Sequence, residues 1–181
     1  MRITVFGSAR VTEESTEYQD ALRLGRLLAE RGDVIVSGGY GGIMEAVSRG
    51  AHERGGQVLG VTVVPWGGRI VPNRYLSEER SATTLFERLE ALVESDALIV
   101  LPGGAGTLGE LALAWNLRQM DLMPAKAIVM VGDRWRRLLD AFRQNLIIGD
   151  HDVALLTLVD TIEEAIVALD AEAKAQGQWF G

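Results

Sequence analysis

Short apolar runs alternate with longer amphipathic segments along this chain, and that alternation restricts the fold more than any other feature. The runs are Ile3–Phe6, Val34–Ser37, Val58–Val63, Ala97–Leu101, Ala127–Val131 and Thr157–Val159. They are predominantly apolar and uncharged, as strands covered on both faces are. Between them the spacing predicts helices at about 15–31, 42–54, 83–95, 107–120, 134–146 and 161–175. Tyr18, Ala21, Leu22, Gly25, Leu28 and Ala29 show the i, i+3, i+4 repeat clearly. Strand–helix alternation predicts an α/β fold, a doubly wound parallel sheet with helices on both faces. No linker, repeat or low-complexity segment breaks the pattern, so residues 1–181 are expected to form a single domain. The stretch from Pro65 to Arg80 fits neither pattern and reads as a long loop, functional or an ordinary surface excursion. Ala175 to Gly181 reads as a frayed tail in which Trp179 and Phe180 could dock.

Three segments share one design, in which a strand ends, glycines follow and a helix begins. They are Phe6-Gly7-Ser8-Ala9-Arg10, Ser37-Gly38-Gly39-Tyr40-Gly41-Gly42-Ile43-Met44-Glu45, and Leu101-Pro102-Gly103-Gly104-Ala105-Gly106-Thr107-Leu108-Gly109-Glu110. Glycine lets the backbone approach a ligand closely, and a helix start offers unpaired N–H groups and a positive dipole end. Together these make an anion site, most naturally for phosphate. With strand order 3-2-1-4-5 the three loops lie side by side at the switch point, where such sheets bind ligands. Tight strand-to-helix turns needing glycine only for packing are the alternative.

Composition narrows the chemistry. The chain has no cysteine, which removes disulfides, thiolate metal sites and thiol catalysis. Its two histidines, His52 and His151, stand far apart, so a zinc site built from several histidines is excluded and no metal is called for. A net charge of −7 argues against nucleic acid as partner. No apolar run is long enough to span a membrane, and the start reads as a strand, so a cytoplasmic location is expected. No Lys falls in any glycine loop, so the Walker pattern is absent, and after the first strand only Gly7 stands where a dinucleotide fingerprint needs three glycines. A ligand with one phosphate fits better than a nucleoside triphosphate or a dinucleotide. Glu110, the acid of the third loop, is placed in the first turn of its helix. There it serves either as a cap for the dipole or as a catalytic carboxylate.

The third loop, Pro102-Gly103-Gly104-Ala105-Gly106-Thr107-Leu108-Gly109-Glu110, resembles the P-G-G-x-G-T-x-x-E motif of the Lonely guy (LOG) family. Gly38 to Met44 is similar to that family's G-G-x-x-G-x-M loop, Gly7-Ser8 to its first loop, and Gly60-Val61 with Pro65 to its third strand. The likeness runs over roughly residues 1–160. It implies a Rossmann-like homodimer that hydrolyses the N-glycosidic bond of nucleoside 5′-monophosphates, AMP or cytokinin riboside monophosphate. Free base and ribose 5-phosphate would be the products, and no cofactor is called for. By the same resemblance Glu110 is the catalytic acid and Gly103, Gly104, Gly106 and Thr107 cradle the phosphate. Gly7, Ser8, Gly38, Gly39, Gly41, Gly42 and Met44 complete the substrate site.

The family carries an Arg, usually Arg-Lys, in the helix before the motif. Counting back from Pro102 puts Glu87 at that position, with Arg88 next to it and no Lys after it. Either a one-residue shift gives the role to Arg88, or Arg74 or Arg80 substitutes, or the role is lost. With Glu45 in the second loop, Glu87 keeps an alternative open: a nucleotide or molybdenum-cofactor (pterin) carrier on the same fold, binding without hydrolysis. Such proteins have often been labelled lysine decarboxylases, a reaction that normally uses pyridoxal phosphate on a Lys Schiff base. Only Lys126 and Lys174 exist, and Lys126 is expected at the sheet end opposite the glycine loops. His52, Arg134, Arg136 and Arg137 read as solvated, and His151 with Asp152 as part of an ordinary loop after Gly149. Leu111, Trp115 and Met120 read as core or subunit interface.

Overall fold

The structure is a computed structural model that describes residues 1–63 and 71–177, with the backbone alone at 172–177. Pro65, Trp179 and Phe180, singled out above, lie outside the described residues. The elements are β1 (Arg2–Phe6), α1 (Thr16–Glu30), β2 (Val34–Ser37), α2 (Ile43–His52), β3 (Val58–Val63), β4 (Glu78–Ala82) and α3 (Leu85–Val93). There follow β5 (Ala97–Val100), α4 (Ala105–Gln119), β6 (Ile128–Val131), α5 (Asp133–Asn145), α6 (Asp150–Val153), β7 (Thr157–Val159) and α7 (Ile162–Gly177).

The strands form one parallel sheet in the order β4-β3-β2-β1-β5-β6-β7. The chain winds outward from β1 to β4, then returns to the other side of β1 and winds outward again. This is the doubly wound topology expected from the alternation, with its switch point between β1 and β5. The register of that central pair runs from Ile3 opposite Ala97 to Phe6 opposite Val100.

Period-two alternation divides the core into two layers. Ile3, Val5, Ile99 and Val129 join α1, α2 and α7 on one face, while Phe6, Val100, Ile128 and Met130 join α3, α4 and α5 on the other. On the first face α1 and α2 approach to backbone contact. A Cβ at Gly25 would fall 2.2 Å from the Val47 carbonyl oxygen, and one at Gly50 would fall 2.0 Å from that of Leu22. An alanine at either position would push the helices apart.

Two elements were not anticipated. The Pro65–Arg80 stretch was expected to hold no regular structure, yet β4 begins within it and pairs with β3 from Glu78 to Ala82. β4 is Glu-Glu-Arg-Ser-Ala and exposed but for Ala82. At a sheet edge charge is tolerated and the apolar run of a central strand is not required, so an apolar-run criterion passes over it. The short α6 occupies the expected loop around His151 and Asp152. Asp152 is buried there, accepting from the Gly149 N–H at 2.6 Å, and its backbone oxygen accepts from Trp115 Nε1 at 2.7 Å.

Candidate functional site

The loops after β1, β2 and β5 lie side by side at the C-terminal edge of the sheet and are hydrogen-bonded to one another. The Ser8 N–H donates to the Pro102 carbonyl at 3.1 Å, and the Ile43 N–H donates to the Ser8 carbonyl at 2.9 Å. Gly42 makes the second contact possible. Its φ is +66°, and a Cβ there would sit 2.3 Å from the Ser8 oxygen. Helices α2 and α4 begin just beyond Gly42 and Gly104, and no side chain caps either of them. The start of α4 thus keeps its dipole end and first-turn N–H groups without a side-chain cap, while at α2 the Ile43 N–H is taken by Ser8 and the Glu45 carboxylate stands in the first turn.

The glycines divide by what surrounds them. Gly7 is packed against the Ile43 side chain, and a Cβ at Gly103 would strike the Thr107 side chain, which is itself buried beneath the loop. Gly39 lies against Thr62, with its carbonyl accepting from the Asn73 N–H at 2.8 Å. Among the described residues, the Glu45 carboxylate is what lies near Gly41. Gly104 and Gly106 are different: open space surrounds both, and neither has a positive φ. No described neighbour requires glycine there, although Gly106, inside a helix, costs about 1 kcal/mol relative to Ala. Close approach of a bound molecule is what these two positions permit.

Helix α3 delivers a cation to this crevice. Thr84 caps it, its hydroxyl accepting from the Glu87 N–H at 3.1 Å. The Glu87 carboxylate turns back to accept from the N–H and hydroxyl of Thr83 at 2.8 and 2.6 Å. That exchange resembles a capping box, uses Glu87 at the exposed helix start and sets where α3 begins. One residue on, about 100° around the helix, Arg88 turns inward and is 9% exposed. Its Nε donates to the Val61 carbonyl at 2.9 Å and its Nη2 to that of Gly38 at 3.4 Å. Nη1 lies 3.5 Å from Glu110 Oε1. A Cβ at Gly38 would fall 2.0 Å from Arg88 Nη2 and 2.5 Å from Met44 Sδ, so the guanidinium fills the space that glycine leaves.

Glu110 is not in the first turn of its helix. α4 starts at Ala105, two residues earlier than the spacing predicted, because Ala105 and Gly106 already have helical backbone. Glu110 therefore sits in the second turn, beyond the reach of the cap position, and faces Arg88. Its side chain is 13% exposed. Burial pushes its carboxyl up to about 7, against the opposing pull of the Arg88 guanidinium. The group thus exchanges its proton near neutral pH, as an acid–base group requires.

The remaining candidates lie apart from this pair. Arg80 pairs with Glu94 at 3.3 Å, and Arg74 donates to the Tyr75 hydroxyl at 2.9 Å. Lys126 is buried, its ammonium donating to the Val93 carbonyl at 2.7 Å and to that of Ser95, before β5 at the opposite end of the sheet. His52 is exposed beside Tyr75. Among the described residues no group of three His, Asp or Glu side chains is placed to hold a metal ion. No helix of the described residues is long and apolar enough to cross a membrane.

Sequence reasoning gave Tyr40 no role. The structure places its ring 5.8 Å from the Arg88 guanidinium carbon, and its hydroxyl both donates to the Val63 carbonyl and accepts from the Val63 N–H, each at 2.9 Å. The available signal was one large aromatic in a loop otherwise made of glycine.

With this geometry in hand, comparison with known proteins adds a family. The sequence profile of the family described as "Possible lysine decarboxylase" matches residues 44–169. The chain is 32% identical to the probable cytokinin riboside 5′-monophosphate phosphoribohydrolase LOG4 of Oryza sativa subsp. japonica, with 94% of this chain and 77% of that one aligned. It is 41% identical to the probable cytokinin riboside 5′-monophosphate phosphoribohydrolase LOGL5 of the same organism, over 61% of this chain and only 46% of that one. Among solved structures, the molybdenum cofactor binding protein of Rippkaea orientalis superposes with a TM-score of 0.73 at 22% identity, with 94% of each chain covered. That likeness shows the fold, an α/β sheet of Rossmann type.

Proposed function

Because the chain belongs to the family described as possible lysine decarboxylase, which includes the Lonely guy (LOG) proteins, we propose that it hydrolyses the N-glycosidic bond of nucleoside 5′-monophosphates. AMP or a cytokinin riboside monophosphate is the substrate, and free base and ribose 5-phosphate are the products. The observation that carries the reading is the buried Arg88–Glu110 pair beside three glycine loops. Decarboxylation on a lysine Schiff base lacks support, since Lys126 is held by backbone carbonyls away from the crevice.

In this reading the open N–H groups at the start of α4 hold the 5′-phosphate. Gly7, Ser8, Gly38, Gly39, Gly41, Gly42 and Met44 shape the rest of the pocket, with Gly103 and Thr107 supporting Gly104 and Gly106. As the C1′–N bond breaks, positive charge develops on the ribose, and the Glu110 carboxylate stabilises it. Glu110 also accepts the proton of the water whose oxygen bonds to C1′, the departing base takes a proton from solvent at its nitrogen, and Glu110 then returns its own to solvent, so that one water and no net proton is consumed. Arg88 holds the substrate by planar contacts and keeps Glu110 in place. Chromatography of the products from a panel of nucleoside monophosphates tests this, with free base and ribose 5-phosphate expected in equal amounts. A phosphorylated ligand bound tightly and recovered intact would instead favour the carrier, the reading in which Glu87 and Glu45 mark the difference. Glu87 lends that reading little, because its carboxylate is engaged by Thr83.

The family resemblance also implies a homodimer, and the fold offers a face for it. A cavity of about 800 Å³ opens between α3 and α4, lined by Phe86, Leu89, Val93, Leu113, Leu117 and Met123 among others. Phe86 at its rim is 83% exposed, and Leu122 is 64% exposed. Apolar surface of this kind marks an interaction site, and we place the second copy there. Light scattering should give twice the 19.7 kDa of one chain. Leu122→Glu should weaken the dimer at least tenfold, and an unchanged mass in that variant would place the interface elsewhere.

A further inference from the structure

Tyr40 joins the two elements whose carbonyls hold Arg88. The cation is fixed by carbonyls at Val61 on β3 and Gly38 in the loop after β2. The Tyr40 hydroxyl joins those same two elements, bridging from that loop to both backbone groups of Val63 at the end of β3. From the far side the Asn73 side chain donates to the Tyr40 carbonyl at 3.1 Å, and the Asn73 N–H donates to that of Gly39. The Tyr40 ring covers the guanidinium at a distance where a cation is attracted to the ring. Between Gly38 and Gly42 the β2 loop carries no side chain other than that of Tyr40, so Tyr40 is the loop's one side-chain tie to β3 among the described residues.

We propose that Tyr40 is a positioning residue: it locks the β2 loop to β3 and so holds Arg88 against Glu110. The proposal rests on the hydrolase reading only for its consequence in turnover. Its consequence for Glu110 is independent of substrate. Among the described residues Arg88 is the charged group facing Glu110, and it favours the ionised carboxylate. A guanidinium that wanders favours it less, so loosening Arg88 raises the pH at which Glu110 gives up its proton. Tyr40→Phe removes the bridge and keeps the ring. Tyr40→Leu removes both.

The test is a carbon-13 NMR titration of the full chain labelled at its glutamate carboxyls, with Glu110→Gln identifying the signal. The Glu110 midpoint should move upward by roughly one pH unit in Tyr40→Leu and by less in Tyr40→Phe. In base release from AMP, kcat should fall about tenfold in Tyr40→Leu, with the acidic limb of the pH profile displaced in the same direction. Midpoints equal to the unsubstituted chain in both folded variants would overturn the proposal, whatever the assay showed. If the unsubstituted chain released no base while the midpoints moved, the hydrolase reading would fail and the role of Tyr40 would stand. Should Tyr40→Leu not fold, Tyr40→Phe carries the comparison alone.

Discussion

Glu110→Gln is expected to lower base release from AMP by roughly three orders of magnitude while making the protein more stable at alkaline pH. The first effect follows from the proposed chemistry. An amide neither takes the proton of the attacking water nor offers a full negative charge to the ribose in the transition state. In the unsubstituted chain kcat/KM should rise with pH through an apparent value near 7, where Glu110 ionises.

The gain in stability has its own physical cause. The Glu110 carboxyl binds its proton up to about 7 in the folded chain and only to about the ordinary 4.5 when unfolded. Between those values the folded state holds more protons than the unfolded state, so stability declines as pH rises through the window. Above it the full cost of a buried carboxylate is present, on the order of 1–3 kcal/mol even with Arg88 alongside. Glutamine carries no such cost. Thermal melts of the two proteins should nearly coincide at pH 4 and separate by pH 8, with the variant melting higher. Melting curves that stay parallel across that range would show that Glu110 ionises normally and would remove the basis for its role. A site residue that destabilises its own fold is expected where activity needs a charge kept out of water.

The origin of that geometry explains how far the sequence could be read. The doubly wound sheet was legible because its central strands are buried on both faces and consequently apolar at most positions, with small hydroxyl residues such as Thr4, Ser37 and Thr62 as the exceptions. β4 was not, since at the edge Glu78, Glu79 and Arg80 face water and leave no hydrophobic trace. The three loops were legible because glycine marks a strand-to-helix turn, and their adjacency follows from strand order alone. Which glycine does what was not legible. Gly38 makes room for Arg88, Gly42 for the Ser8 carbonyl and Gly103 for Thr107, while Gly104 and Gly106 face open space. These distinctions arise from residues distant in the chain. The setting of Glu110 was missed for a smaller reason. Alanine and glycine at 105 and 106 gave no sign that the helix had already begun, and a shift of two residues moves a side chain from the cap to the second turn.

Arg88 and Glu87 provide the sharpest contrast, because counting along the sequence puts Glu87 where the helix turns its neighbour Arg88 inward. Arg88→Ala is expected to abolish measurable base release and to destabilise the chain by about 1–3 kcal/mol at neutral pH. That substitution leaves the Val61 carbonyl without its donor and Glu110 without its cation, so that the carboxyl keeps its proton at neutral pH. Arg88→Lys should restore little. One ammonium lacks the planar fork that reaches the Val61 and Gly38 carbonyls and Glu110 together. Glu87→Ala removes only the contacts to Thr83 at the exposed end of α3. It should cost about 1 kcal/mol and leave kcat/KM within about twofold. Urea unfolding and base-release kinetics on the three variants separate the possibilities. Loss of activity in Glu87→Ala with stability intact, beside a functional Arg88→Ala, would mean that the helix presents a different face to the substrate and that the cation of this site has been misassigned.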